Sequence, residues 1–423
     1  MRFIGLDLHK KTLVMCALDR AGKVLFRETI ECRREVLESF AKSKLRKTDR
    51  LAVEATTSTW AVADILRPHV AAVTVGNPIQ IKAIAQAKVK TDKIDAQVLA
   101  NLIRCDYLPT VWTPDSRTQK LRELTTLRGN LIIDRSRLKN RVQSLLAQLL
   151  VVPPVKVLFT KRGLAWLREV ELPAEIRSAV DLYLRLYTAV EEETQKIDGQ
   201  LMAMAYEDGR AKLLMTLPGV AHAVAISLLA ALGDVSRFKD GDHAASYIGL
   251  TPSLRQSASK RYHGRITKAG SPQTRAMLVQ AVQAASDHPG PIGAFFRRLR
   301  KRKKYNVAVI ATARKLVTIA YLMLKNNEPY RYAKLDVVKG KFMDCRRKAK
   351  LPAAKAARTE TPGSPLEELY RRHGLNPCQT PEQWSDGERR ALATADVAEF
   401  AEAVHKPIAM KQRRAKATAR TPK

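Results

Sequence analysis

The first hundred residues change their hydrophobic period repeatedly, and that alternation constrains the fold more than any single motif. The runs Phe3 to Leu8, Thr12 to Leu18 and Lys23 to Arg27, the last entered through a turn at Ala21-Gly22, read as a three-strand meander. A polar helical stretch follows from Glu35 to Ser43. Two short apolar runs come next, Leu51 to Val53 and Ala71 to Val75, with helix-like Trp60 to Leu66 between them. A helix-compatible segment, Ile79 to Arg104, is interrupted by charge near Lys88 to Thr91. Three antiparallel strands, alternating helix and strand, and a closing helix are the element order of a ribonuclease-H-like α/β sheet, here expected over residues 1–110.

The remainder reads as helical. Leucines recur at helical spacing from Thr118 to about Leu150, where Pro153-Pro154 ends the pattern, and a second amphipathic run covers Ala174 to Tyr206. The two predict an antiparallel pair over 111–209; a coiled-coil arm and two ordinary bundle helices fit equally. A mainly helical third region is expected over 210–328, with a small-residue, polar loop from Gly249 to Ser271. Beyond 329 the chain turns basic, and loose structure is expected, with short helices at Leu366 to Arg372 and Ala391 to Val404.

At 423 residues, two or three domains with real cores are expected. Lys and Arg total 75 against 41 Asp and Glu, a net charge of +34 that calls for a polyanionic partner. Aromatics are only 6%, which disfavours a single-strand binder built on stacking platforms. The five cysteines are scattered and form no CxxC pair, against a disulfide framework or a structural zinc site and in keeping with a reducing compartment. Asp7 arrives too early for a signal peptide, and the apolar stretch Leu213 to Leu232, interrupted by Pro218, Gly219 and His222, reads as a buried helical hairpin rather than a membrane span. A soluble intracellular protein with no membrane partner is expected.

Within this frame, four carboxylates stand out. Asp7 lies inside the first apolar strand, where a charge is costly unless paired or bound to a cation. Glu54 closes the Leu51 to Val53 strand, and open α/β sheets place ligands beyond such strand ends. Asp92 and Asp95, three apart, share a helix face. Singly, each has an ordinary reading: a helix cap for Asp92, a solvated strand end for Glu54, a surface pair for Asp95. Together they suit Mg²⁺ or Mn²⁺ and a two-metal phosphoryl transfer.

Three further segments bear on a nucleic-acid partner. Leu217-Pro218-Gly219-Val220 resembles a helix-hairpin-helix turn whose amides hold a phosphate, although Ala221 replaces the usual second glycine and a purely structural hairpin fits as well. The loop holding Ser257, Ser259, Lys268 and Gly270 can bring hydroxyls and backbone close to a phosphodiester, with His263 near enough in sequence to be considered as a base. Arg297, Arg298, Arg300, Lys301, Arg302, Lys303 and Lys304 place seven cations in eight positions, a patch suited to phosphate neutralisation.

Read jointly, Gly5-Leu6-Asp7 with Lys11, Val53-Glu54-Ala55-Thr56, Asn77-Pro78, Lys90 to Ala96 with Lys93, Leu217-Pro218-Gly219, Gly249-Leu250-Thr251-Pro252, Ser257, and Gly264 to Gly270 with Arg275 resemble the DEDD transposases of bacterial insertion sequences known as the IS-one-ten family, which includes bridge-RNA-guided recombinases. The resemblance spans about residues 2 to 325. It implies a Holliday-junction-resolvase-like first domain, a coiled-coil arm and a transposase domain carrying a serine. It implies Asp7, Glu54, Asp92 and Asp95 as metal-binding acids, and Ser257 as a nucleophile forming a phosphoserine link to DNA. It further implies nucleic-acid contacts along the matching basic residues, an element-encoded non-coding guide RNA, a homo-oligomer (dimer or tetramer), and action on DNA in the bacterial cytoplasm at the nucleoid. Thr57 and Ala258 depart from glycines usual in the family, and the second leaves Ser259 as a rival nucleophile. The other readings of the same acids are a junction-resolving nuclease using water and a non-catalytic nucleic-acid-binding scaffold.

Overall fold

Strands β1 (Phe3–Leu8) and β2 (Thr12–Leu18) are buried along almost their whole length, as apolar runs covered on both faces must be. They sit in a five-stranded sheet with β3 (Val24–Glu31), β4 (Arg50–Glu54) and β5 (Ala72–Gly76), in the order β3-β2-β1-β4-β5. β1, β2 and β3 pair antiparallel, whereas β4 runs parallel to β1 and β5 parallel to β4. β3 is longer than its apolar signal because it is an edge strand that alternates half-buried and exposed residues. The computed structural model describes residues 1–84, 91–257, 260–351 and 364–406.

Helices cover both sheet faces. On one side α1 (Arg34–Lys44) and α2 (Thr59–Leu66) bury Leu37, Phe40, Val62 and Leu66 against Ile4, Leu6, Leu51 and Val53. On the other side lie α3 (Pro78–Ile84) and α4 (Asp92–Arg104), whose Ala96, Leu99, Ala100 and Ile103 pack over Phe3, Val14, Cys16 and Ala52. Gly5 permits that approach: a Cβ there would collide with the Ala96 carbonyl oxygen and the Ala100 amide nitrogen of α4. These elements form one unit, Met1–Pro114.

The second unit, Asp115–Lys423, is mostly helical. α5 (Ser116–Gln148) and α7 (Ala174–Glu207) run antiparallel, because the pairs Arg128–Asp198 and Arg135–Glu191 descend α7 as they climb α5. α6 (Lys161–Glu169) closes a small core at one end of the pair through Leu167, Val142 and Val180. At the other end Leu121, Ile197 and Leu201 enter the main core, made with α8 (Gly209–Met215), α9 (His222–Leu232), α10 (Gly241–Ile248), α11 (Pro272–Ser286), α12 (Pro291–Arg300) and α13 (Tyr305–Asn326). α13 is long and apolar enough to cross a membrane, but Ala313, Leu316, Val317 and Tyr321 are buried in this core.

Two expectations require correction. The segment expected as a loop between Gly249 and Ser271 contains a two-stranded hairpin, β6 (Pro252–Ser257) and β7 (Lys260–Ile266), whose polar alternation leaves no apolar signal. The region expected to be loose is ordered where described, as α14 (Leu335–Lys348), α15 (Pro365–Arg372), α16 (Asp386–Thr394) and α17 (Ala398–Ala403). Its few large side chains, Phe342, Tyr370 and Trp384, are buried in the main core, and Tyr370 donates its hydroxyl to the Tyr330 carbonyl at 2.8 Å. Lys341 Nζ donates to the carbonyls of Met215 and Leu217, both at 2.8 Å. In α14 the basic residues therefore go with a packed helix, not with an absence of packing.

Candidate active site

Asp7 and Glu54 reach the same side of the sheet by strand alternation. Leu6 pairs with Val53 in the parallel ladder, and both point into the core under α1 and α2, so the next residue on each strand turns to the α4 side. Asp92 and Asp95 arrive there from the first turn of α4, where Thr91 Oγ1 accepts from the Ile94 amide and the helix N-terminus favours carboxylates. The acids thus come from two parallel strand ends and one helix start.

The structure adds His9, which sequence reasoning missed. His9 Nε2 stands 3.1 Å from Asp7 Oδ2 and 3.4 Å from Asp92 Oδ1. The signal was present: two residues beyond Asp7, His9 falls on the same side of the chain, and its amide donates to the Thr12 carbonyl at 2.9 Å to close the turn into β2. Asp7 is the enclosed member, its side chain 15% exposed against 45% for His9 and 58% for Asp92. Burial pushes its carboxyl up from the ordinary range and His9 works against that, while the charges of Asp92 and Asp95 add to the rise. A carboxylate made less acidic by its burial, with further carboxylates beside it, is the environment a dication stabilises, so the residues present fit a metal ion. Asp7, His9 and Asp92 offer ligand atoms within 4.8 Å of one another. Lys11 and Lys93 are exposed nearby in sequence, in the β1–β2 turn and the first turn of α4; Lys90 lies outside the described residues.

In the second unit, Ser257 ends β6 and pairs with Lys260 across the hairpin tip. The side chains of Ser257 and His263, and the whole of Ser259, lie outside the described residues. Arg275 anchors the hairpin base: its Nη1 donates to the carbonyls of Ile248 (3.1 Å), Gly270 (3.2 Å) and Ala269. Gly219 is explained by packing, with φ +76° and no room for a Cβ against the Ala281 carbonyl. Lys268 is exposed. Of the cationic run, Arg297, Arg298, Arg300, Lys301, Arg302, Lys303 and Lys304 are all exposed, from the end of α12 to the start of α13. Arg297 donates to the Ser286 and His288 carbonyls, while Arg300 lies over the Tyr305 ring.

Comparison with known proteins places the chain in one family. Residues 4–151 match the model of a DEDD transposase family, and residues 211–297 match the family described as transposase IS116/IS110/IS902. The transposase for insertion sequence element IS1111A of Coxiella burnetii is 24% identical, over 78% of this chain and 92% of its own length. An insertion element IS116 protein of Streptomyces clavuligerus is 26% identical, over 77% and 94%. The pilin gene-inverting protein of Moraxella bovis is 29% identical, over 67% and 82%. The chain is a DNA transposase of the IS110 family of DEDD transposases.

Proposed function

We propose that the chain cuts and rejoins DNA strands to mobilise an insertion sequence, with a dication held by Asp7, Glu54, Asp92 and Asp95 and with Ser257 as nucleophile. The observation that carries this reading is the part-buried Asp7 carboxylate beside Asp92 on the face under α4. The sheet order β3-β2-β1-β4-β5 supports a ribonuclease-H-like first domain. Bound there, Mg²⁺ or Mn²⁺ would polarise the phosphate and stabilise the developing charge. Asp7 and Glu54 present carboxylates at the strand ends that would hold the dication to which the substrate phosphate binds. Ser257 gives up its hydroxyl proton as its Oγ attacks phosphorus, one P–O bond to the sugar breaks, and the leaving sugar oxygen takes up a proton to become a free hydroxyl; the resulting phosphoserine ester retains the energy for rejoining. The exposed run from Arg297 to Lys304 neutralises backbone phosphates.

In this reading Lys11, Lys90, Lys93 and Lys268 contribute further to the nucleic-acid surface, while Gly219 and Arg275, taken up by packing and by the hairpin-base carbonyls, support it from within. The working form is a homo-oligomer guided by an element-encoded RNA, and it acts in the cytoplasm. The domains are 1–110 for the acids, 111–209 for the arm, 210–328 for the serine and 329–423 for the basic extension.

The test is covalent trapping with purified protein, dication, flanking RNA and labelled DNA ends. A denaturation-resistant adduct lost in both Ser257→Ala and Asp7→Ala supports the proposal. Cleavage that survives in Ser257→Ala without an adduct, yet is lost in Asp7→Ala, assigns the nucleophile to water.

A further inference from the structure

We infer that His9 is itself a metal ligand, and that its imidazole gives the acidic site of this chain a preference for Mn²⁺ over Mg²⁺. The inference rests on the metal-holding role proposed for Asp7 and Asp92 and concerns the one nitrogen donor among them. Ligand atoms at right angles on an ion with bonds of about 2.1 Å stand about 3 Å apart. His9 Nε2 holds that spacing to two carboxylates at once, 3.1 Å to Asp7 Oδ2 and 3.4 Å to Asp92 Oδ1. The three ligand atoms come from a strand end, the turn that follows it and a helix start. The backbone that carries each is set: Asp7 by the β1–β2 ladder, His9 by its turn bond to Thr12, Asp92 by the capped first turn of α4.

Chemistry then separates the ions. Mg²⁺ is a hard cation that favours oxygen and retains its waters, whereas imidazole suits transition-metal dications. A site of carboxylates alone suits Mg²⁺ and Mn²⁺ alike. Substituting one imidazole nitrogen for an oxygen moves the balance toward Mn²⁺. His9 is 45% exposed, so its ring can turn toward an entering ion without disturbing the core.

The experiment uses the full-length protein without nucleic acid and Mn²⁺ alone as probe. Uptake is read from loss of the free-ion electron paramagnetic resonance signal, and coupled nitrogen nuclei from spin-echo envelope modulation of the bound ion. The expected result is uptake that depends on Asp7, with nitrogen modulation in the wild type that disappears in His9→Ala while uptake persists. Mg²⁺ should displace Mn²⁺ from His9→Ala at a concentration about tenfold lower than from the wild type. Bound Mn²⁺ without nitrogen modulation in the wild type, or modulation kept in His9→Ala, overturns the assignment and leaves the carboxylate site standing. No uptake by the wild type, or equal uptake by Asp7→Asn, overturns it together with the metal site itself.

Discussion

Gly5 of β1 and Ala96 of α4 meet backbone to backbone: no Cβ fits on residue 5 without striking the Ala96 carbonyl oxygen. That contact sets the height of α4 above the sheet, and hence how far Asp92 and Asp95 stand from Asp7. Gly5→Ala should therefore lift the helix, cost roughly 1–3 kcal/mol as overpacking does, and abolish DNA cleavage although no acid has changed. Thermal unfolding and a strand-cleavage assay check it together; a variant with wild-type melting temperature and cleavage would sink the idea.

Asp7→Asn should separate stability from activity. Burial and the neighbouring acids make the Asp7 charge costly in the folded state. The neutral amide should melt at the same or a higher temperature than the wild type at pH 7 while losing cleavage. A marked fall in melting temperature would instead give Asp7 a structural role.

Arg275 distinguishes scaffold from contact. Removing the guanidinium from the Ile248, Ala269 and Gly270 carbonyls in Arg275→Ala should cost roughly 1–3 kcal/mol and speed amide hydrogen exchange across 252–257 and 260–266. Unchanged exchange with a weaker DNA affinity and a shallower salt dependence would make Arg275 a direct phosphate contact.

Stability should fall with acid through one buried and one half-buried histidine. Burial, with the charges of Lys341, Lys334 and Arg297, lowers His288 to about 4; burial, with Lys212, Arg372 and Arg346, lowers His373 to about 4 as well. The ordinary value in the unfolded chain is about 6.5. Between the two values the unfolded chain binds more protons, so this contribution is complete above about pH 6.5 and is lost as pH falls toward 4. Melting temperatures across pH 7.5 to 4.5 should show the decline, and His288→Gln should flatten it by one proton. An unchanged slope in that variant would remove His288 from the account.

Much of the first unit was legible in the sequence because short-range periodicity governs it. Apolar runs gave β1, β2, β4 and β5, and Asp7 stood out because a carboxylate inside such a run needs a reason. Helical spacing put Asp92 and Asp95 on one face. The leucine repeats of α5 and α7 were equally local. His9, by contrast, drew no notice because its partner Asp92 lies far along the chain, and the β6–β7 hairpin carries too little apolar patterning to announce a strand.

The sequence by itself determined the strands and helices of the first unit and the long pair α5 and α7, and which acids are available, since these follow from side-chain order along a few residues. Only the tertiary structure decided that His9 stands between Asp7 and Asp92, that Arg275 closes the hairpin base, and that α14, basic as it is, and α15 belong to the main core. Those relations join residues distant in the chain, and the energy that fixes them comes from packing and hydrogen bonds that exist only once the backbone has brought both partners together.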